Sequence, residues 1–283
     1  MAVAFAEMLA GVASQSSAAV ADYLNAQIDH IVAGSVGLRN GEDPIHDTRV
    51  AIRRLRSTVR VFAKVLDGTG DLDDDLKWFA GLLGEVRDCQ VQRRRFTAAI
   101  DDLPRELVLG PVKSRIRNDL RAVELPARRR VSEEMESDRY QALMAVLQEW
   151  RIRPPVVRGV SRKALCKQAS RAARKADRRL AAALDDGSAA ILHRARKASK
   201  RARYAAELRK PLDRGAKRTV KQYKQIQTVL GDHQDAVVAT EVLRRMAVAA
   251  GTTPGENGFT FGLLYAREQQ IAERCREDVR ERG

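Results

Sequence analysis

Residues 44–66 read PIHDTRVAIRRLRSTVRVFAKVL, and their spacing predicts an amphipathic helix. At ~100° per residue, the apolar side chains fall on one arc of this helix and the basic side chains on another. The apolar arc comprises Ile52, Leu55, Val59, Phe62 and Leu66. The basic arc comprises His46, Arg49, Arg53, Arg56 and Arg60. We expect the apolar arc to pack against the protein and the basic arc to face solvent or a ligand.

The pattern of this helix returns in the second half of the chain. HDTRVAIRRLR at residues 46–56 aligns without a gap with HRARKASKRAR at residues 193–203. The same offset places Leu83-Gly84 on Leu230-Gly231 and Asp88 on Asp235. Only 4 of the 283 residues are histidine, so a histidine repeated in this register favours an internal duplication over chance.

The composition predicts an all-α fold. Aromatic residues make up 5% of the chain, and helix-forming Ala, Leu, Arg, Glu and Lys dominate. We expect two four-helix-bundle-like halves related by duplication. Because paired prolines stop a helix, the halves are predicted at residues 1–150 and 160–283, with a Pro-containing linker at residues 151–159. Within the first half, helix breaks are predicted at residues 34–41 and just before Pro126.

The cysteines and the hydropathy bear on the compartment. Cys89, Cys166 and Cys275 lie far apart and are odd in number, which favours reduced thiols over a disulfide framework. The first residues, MAVAFAEMLAG, lack the basic start of a signal peptide. No stretch approaches the ~18 apolar residues that span a bilayer. We therefore expect a cytoplasmic protein without a membrane span.

The positive charge is concentrated in one part of the chain. Residues 158–224 contain 22 Lys or Arg and five acids. The net charge of this segment, 22 minus 5, exceeds the net charge of +15 for the whole chain. Like charges at helical spacing repel one another, and a linear polyanion would compensate because each turn of ~5.4 Å offers it a cation. Arginine can grip phosphate oxygens with two N–H groups. The candidate binding residues are His46, Arg49, Arg53, Arg54, Arg56, Arg60, Lys163, Lys167, Arg171, Arg174, Arg178, His193, Arg196, Lys197, Lys200, Arg201, Arg203, Lys217, Lys221 and Lys224.

Motifs of catalysis and cofactor binding are absent from the sequence. It has no phosphate-binding glycine loop, no dinucleotide fingerprint, no HExxH and no GxSxG. Its four histidines and three cysteines lack metal-ligand spacing. The sequence therefore predicts a binding protein, not an enzyme, with no cofactor and no metal.

The repeated motif resembles the CHAD domain, the conserved histidine α-helical domain. The resemblance rests on His46-x-x-Arg49-x-x-x-Arg53-Arg54-Leu55-Arg56 and Leu83-Gly84-x-x-Arg87-Asp88, and on their second-half counterparts from His193 and from Leu230. It covers about residues 15–280. The second copy departs from the first at Ala202, which aligns with Leu55, and at Gln234, which aligns with Arg87.

The resemblance implies two helical bundles with a basic surface or cavity between them and binding of inorganic polyphosphate, often at polyphosphate granules. It implies a binding core of His46, Arg49, Arg53, Arg56, His193, Arg196, Lys200 and Arg203. Many relatives also carry a β-rich CYTH domain. This sequence shows no ExExK signature, so the chain is either a stand-alone member or a piece of a longer protein.

Two other functions stay open at this point. Phosphate contacts alone do not distinguish polyphosphate from DNA or RNA, so a nucleic-acid-binding helical protein is the first alternative. Against it, residues 49–60 offer no Asn, Gln or aromatic side chain to read bases. The second alternative is a phosphoanhydride hydrolase, or an accessory module of one, with a metal held by clustered carboxylates. Asp71, Asp73, Asp74 and Asp75 are the densest acidic run, but they are typical of a helix N-terminus.

Overall fold

A computed structural model describes residues 2–281 of the chain, and the side chains of residues 15–280. Over this range the protein is 83% helical, with nine α-helices and no strand, so the predicted all-α class is confirmed. The helices are α1 (Ala2–Arg39), α2 (Ile45–Val61), α3 (Leu72–Asp101), α4 (Val112–Glu134), α5 (Asp138–Ile152), α6 (Arg162–Asp186), α7 (Ala189–Arg209), α8 (Ala216–Gly251) and α9 (Phe259–Glu281). Two short 3₁₀ helices lie at Ala63–Val65 and Arg105–Leu107.

The predicted break at residues 34–41 begins too early, because α1 continues to Arg39. Gly34 lies where a β-carbon would meet the side chain of Thr48 on α2. Thr48 is fully buried, and its hydroxyl donates to the carbonyl of Pro44 at 2.9 Å. Glycine at position 34 therefore allows two helices to approach closely and does not end α1.

The predicted break before Pro126 is also wrong. Pro126 lies inside α4, which ends only at Glu134. Leu120, Ala127 and Val131 are buried on either side of the proline and continue one apolar stripe. Packing of this stripe therefore outweighs the hydrogen bond that proline removes. Helix α5 starts instead after Ser137, whose side chain accepts a hydrogen bond from the backbone N–H of Tyr140.

The two prolines of the predicted linker do end a helix. Helix α5 stops at Ile152, and residues 153–161 are not helical. Two backbone hydrogen bonds hold this segment against residues 65–67: the N–H of Asp67 donates to Pro155 at 2.9 Å, and the N–H of Val157 donates to Val65 at 3.1 Å.

The contacts divide the chain into two compact units that interleave in sequence. Unit 1 comprises Met1–Gly84, Arg130–Arg179 and Lys197–Gln225, and unit 2 comprises Glu85–Arg129, Leu180–Arg196 and Ile226–Gly283. Each unit contains residues from both predicted halves, so these units and the predicted halves divide the chain differently. The duplication and the boundary at residues 151–159 stay predictions.

The core of unit 1 forms where α1 packs against α2 and α5. The apolar arc predicted for α2 is buried, with Ile52, Leu55 and Phe62 fully inaccessible. Each such side chain stabilises the fold by ~1.5–3 kcal/mol relative to an exposed one. The rings of Phe79 and Tyr140 meet edge to face at 5.2 Å. The polar face of α2 is thereby fixed away from this core.

Unit 2 has a core of its own. One cluster draws on α3, α4, α8 and α9, through Phe96, Ile100, Ile116, Leu120, Leu243, Met246, Phe261 and Leu264. A smaller cluster joins Ala183, Leu192, Ala195 and Leu230. Across residues 2–281, none of the helices combines the length and the hydropathy that crossing a membrane requires.

Candidate anion-binding site

Unit 1 contains a cavity of about 430 Å³ with a basic wall. Its lining comes from the end of α2, the 3₁₀ helix Ala63–Val65, the middle of α6 and α7. No lining residue is acidic, and five carry a positive charge: Arg60, Lys64, Arg171, Lys175 and Arg201. A cavity of this size lies within the range of small-ligand sites, and its charge selects for an anion.

Helix geometry brings these cations together. Arg171 and Lys175 are four residues apart on α6, so they share one face. Arg60 lies in the last turn of α2, and Lys64 follows it by four residues. Arg60 is the only one of the five that forms an ion pair with a carboxylate among residues 15–280. None of the other four cations of the lining forms an ion pair with a carboxylate of the described residues.

Arg201 lies in a strongly positive environment. Its side chain is half-buried, and no described carboxylate pairs with it. Burial lowers the pKa of its guanidinium, and the charges of Arg60 and Arg56 lower that pKa further. Arginine stays protonated even so. The lowered pKa therefore reports an unfavourable positive charge, which a bound anion would stabilise.

Asp73 borders this group of cations from the first turn of α3. Its carboxylate accepts from Arg56 at 3.1 Å and also pairs with Arg60. Burial alone would raise the pKa of the Asp73 carboxyl, but the hydrogen bonds from Arg60 and Arg56 outweigh burial, and the net pKa lies below its ordinary value. Two of the predicted ligand arginines are thus held by an internal anion.

A second carboxylate, Glu207, holds two more of the predicted arginines. Arg54 and Arg203 donate to it at 2.9 Å and 2.8 Å, and the Tyr23 hydroxyl donates at 3.3 Å. Both guanidiniums lie over the ring of Tyr204. Burial, and next the charge of Glu207, raises the pKa of Tyr23 well above its ordinary value. This network joins α1, α2 and α7, and it gives Arg54 and Arg203 a structural role.

Arg49 also has a structural contact. It donates to the backbone carbonyl of Ala80 at 2.6 Å. A β-carbon at Gly84 would meet its guanidinium, so glycine at that position makes room for the arginine. The neighbouring Arg53 is half-buried, and His46 is exposed.

A further exposed basic surface lies along α6 and the start of α8. The Tyr223 hydroxyl of α8 donates to the Asp177 carboxylate at 2.7 Å and lies 3.1 Å from the Ala173 carbonyl oxygen, and these contacts fix α8 against α6. The predicted cations of these two helices are all exposed: Lys163, Lys167, Arg171, Arg174, Arg178, Lys217, Lys221 and Lys224. On α7, Lys197 is exposed and Lys200 is half-buried.

Two predicted residues lie outside unit 1. His193 and Arg196 belong to unit 2, whereas every other predicted binding residue belongs to unit 1. A ring nitrogen of His193, Nδ1, lies 2.8 Å from the side-chain oxygen of Gln234. Unit 1 therefore collects cations from both parts of the sequence repeat.

Two cations of the cavity, Lys64 and Lys175, are not among the residues predicted from the sequence. Each follows a predicted cation by four residues, Arg60 and Arg171 respectively, and this spacing was the available signal. Lys64 lies beyond the end of α2. Lys175 lies beside the predicted basic stripe of α6, which continues from Arg171 to Arg174.

Comparison with known proteins supports a family assignment. A family model described as the CHAD domain matches residues 22–244. Two uncharacterized proteins of Mycobacterium tuberculosis, from strains CDC 1551 and H37Rv, are each 36% identical over 248 residues. The match covers 84% of this chain and 47% of each relative, so the chain spans about half the length of the curated relatives it matches.

Solved structures resemble the fold. PptA from Streptomyces chartreusis superposes with a TM-score of 0.78 at 20% identity, covering 94% of this chain and 98% of that one. The CHAD domain from the plant Ricinus communis superposes with a TM-score of 0.72 at 26% identity, covering 93% and 91%.

Proposed function

Because this chain belongs to the CHAD domain family, we propose that it binds inorganic polyphosphate through the basic cavity of unit 1. The observation that carries the proposal is the lining of that cavity, which has five cations and no acid. Binding of polyphosphate is also what the family resemblance implies.

Polyphosphate suits this lining for physical reasons. It carries charge at every phosphate, so several cations can be neutralised by one ligand. The guanidiniums of Arg60, Arg171 and Arg201 can each donate two hydrogen bonds, whereas Lys64 and Lys175 act as point charges. Release of counterions from the polymer adds a favourable entropy that salt opposes. A chain longer than the cavity would continue over the exposed cations of α6 and α8.

We propose a binding role without catalysis. The lining of the cavity contains neither a carboxylate nor a histidine, so it offers no carboxylate or imidazole general base and no carboxylate ligand for a divalent metal. We further propose that the protein acts in the cytoplasm, in association with polyphosphate granules.

Calorimetric titration of the full chain with polyphosphates of defined length tests the proposal. The double variant Arg171→Ala/Lys175→Ala should bind at least roughly tenfold more weakly, because it removes two charged contacts. The dependence of log K on log salt should become shallower by about two, one for each lost contact.

A matched control removes the same charge elsewhere. Arg117 and Arg121 are exposed, four residues apart on α4, and lie in unit 2. Arg117→Ala/Arg121→Ala should bind nearly as well as the wild type. Equal losses in the two double variants would assign the affinity to net charge and not to the cavity.

Competition with DNA separates polyphosphate from the nucleic-acid alternative. Long-chain polyphosphate should displace a fluorescent DNA duplex from the protein at matched salt and matched phosphate concentration. If DNA resisted displacement while polyphosphate was in excess, the protein would be a nucleic-acid binder and the proposal would fail.

A further inference from the structure

One carboxylate holds an arginine of the cavity wall in place. Asp73 accepts hydrogen bonds from the Nε atoms of both Arg56, at 3.1 Å, and Arg60, at 3.0 Å. The second carboxylate oxygen accepts from Arg56 at 3.3 Å and from Arg60. Two guanidiniums thus surround one carboxylate, an arrangement that would equally suit the oxygens of a phosphate.

The exposure of the three side chains shows how this cluster could exchange partners. Arg60 lines the cavity and has 42% of its side chain exposed, whereas Asp73 has 21% and Arg56 19%. Arg60 is therefore accessible to a ligand on one side and bound to Asp73 on the other. Arg56 is more enclosed than Arg60 and does not line the cavity.

We propose that Asp73 is an internal competitor for the anion, which holds Arg60 until polyphosphate takes its place. This inference rests on the proposed function of the same cavity. A small anion such as orthophosphate gains little from taking the place of Asp73, because it brings only one or two charges to Arg60 in exchange for the charge of the carboxylate. A polyanion that already contacts Lys64, Arg171, Lys175 and Arg201 gains Arg60 as an additional contact. Asp73 thereby raises the selectivity of the cavity for highly charged chains.

Asp73→Asn tests the proposal, because it removes the charge and keeps the shape. The variant should bind polyphosphate roughly three- to fivefold more tightly. This factor corresponds to one partly exposed ion pair, which the ligand no longer has to break. Its affinity for orthophosphate should rise by a larger factor than its affinity for polyphosphate. Asp74→Asn is the matched control: Asp74 is exposed in the same turn of α3, and its side chain forms no hydrogen bond or ion pair with the described residues. That variant should leave both affinities near those of the wild type.

A double-mutant cycle with Arg60→Ala locates the effect. The gain from Asp73→Asn should shrink strongly when Arg60 is absent, because Arg60 lines the cavity whereas Arg56, which Asp73 also holds, does not. Circular dichroism and thermal unfolding check that each variant is folded. If neither the wild type nor Asp73→Asn binds polyphosphate, the proposed function fails and the competitor role fails with it. If the wild type binds, and Asp73→Asn binds equally or more weakly, Asp73 merely positions the arginines and only the competitor role is overturned.

Discussion

At the scale of single residues, the neighbours of a guanidinium decide what it contributes. Arg54 lies 2.9 Å from the carboxylate of Glu207, so its charge is neutralised inside the protein. Arg201 lies instead in the field of Arg60 and Arg56. Both arginines belong to the predicted basic stripes, but of the two only Arg54 forms an ion pair with a carboxylate among the described residues.

Replacement of Arg201 separates binding from stability. Arg201→Gln should raise the melting temperature of the ligand-free protein, because a charge buried among other cations is removed. The same change should weaken binding of polyphosphate roughly tenfold, the value of one charged contact. Differential scanning fluorimetry and calorimetric titration measure the two effects. Arg194 is exposed on the same helix, so Arg194→Gln should change neither the melting temperature nor the affinity. If Arg201→Gln lowered the melting temperature, the charge of Arg201 would be stabilised by contacts within the folded protein.

Replacement of Glu207 tests the opposite role. Glu207→Gln leaves Arg54 and Arg203 without their shared carboxylate, so we expect a loss of roughly 2 kcal/mol in the free energy of unfolding. Urea denaturation measures this loss. Glu241→Gln removes a carboxylate that pairs with an exposed arginine, Arg244, and should leave stability unchanged. A Glu207→Gln protein as stable as the Glu241→Gln protein would show that the network contributes nothing.

Sequence patterns do not predict the role of an arginine when that role depends on residues far away in the chain. Helical spacing selected Arg49 and Arg54 as readily as Arg60 and Arg171. Nothing in that spacing indicates that Ala80 accepts a hydrogen bond from Arg49, or that Glu207 lies beside Arg54, because these partners are 31 and 153 residues away. Local periodicity predicts a face of a helix, and tertiary contacts decide which cations on that face stay accessible.

At the scale of helices, Asp73 joins α2 to α3, and its contribution depends on pH. Its folded pKa is lowered, so the stabilisation is fully present above the unfolded pKa of ~3.9 and is lost as pH falls through the folded pKa. Wild type should therefore be more stable than Asp73→Asn at pH 7, and the difference should narrow below about pH 4. Urea unfolding at several pH values measures it. A difference that stayed constant to pH 3 would contradict the ion-pair origin.

Close approach of α1 and α2 makes a second prediction at this scale. Gly34→Ala would place a methyl group against buried Thr48, and we expect a net loss of about 1–3 kcal/mol from overpacking. Gly81 is a helical glycine of α3 with open space around it, so Gly81→Ala should stabilise the protein by up to ~1 kcal/mol. Urea denaturation of both variants measures the contrast. Equal stabilisation of the two would show that α2 can move away from Gly34 at no cost.

Helices were predicted well where amphipathic periodicity was strong and less well where glycine or proline carried the prediction. The buried arc of α2 was read correctly from Ile52, Leu55 and Phe62. Gly34 and Pro126 each disfavour an isolated helix, so the sequence predicts a break near each of them. In the folded protein, Gly34 allows contact with Thr48, and apolar packing carries α4 through Pro126. Neither compensation is local, so neither is visible in the neighbouring sequence.

At the scale of the whole molecule, the chain carries a net charge of +15, and 22 of its cations fall within residues 158–224. This concentration was evident from the sequence. The sequence does not show which of these cations surround one cavity, because the cavity forms only where α2, α6 and α7 come together. Mutual repulsion among the cations destabilises the ligand-free fold, and screening or neutralisation should relieve it.

The melting temperature of the ligand-free protein should therefore rise with salt concentration. The concentration that produces a given rise in melting temperature should differ strongly from one anion to another. Chloride acts only by screening, so its effect should develop as the Debye length falls from ~30 Å at 0.01 M to ~10 Å at 0.1 M. Under the proposed function, polyphosphate stabilises the folded state, so a concentration far above its dissociation constant should add several kcal/mol at low salt. This second effect should shrink as salt increases, because salt weakens polyanion binding. Scanning fluorimetry at matched ionic strength compares chloride, orthophosphate and polyphosphate. If the three raised the melting temperature equally, general screening would account for all of the stabilisation, and the cations of unit 1 would form no specific site.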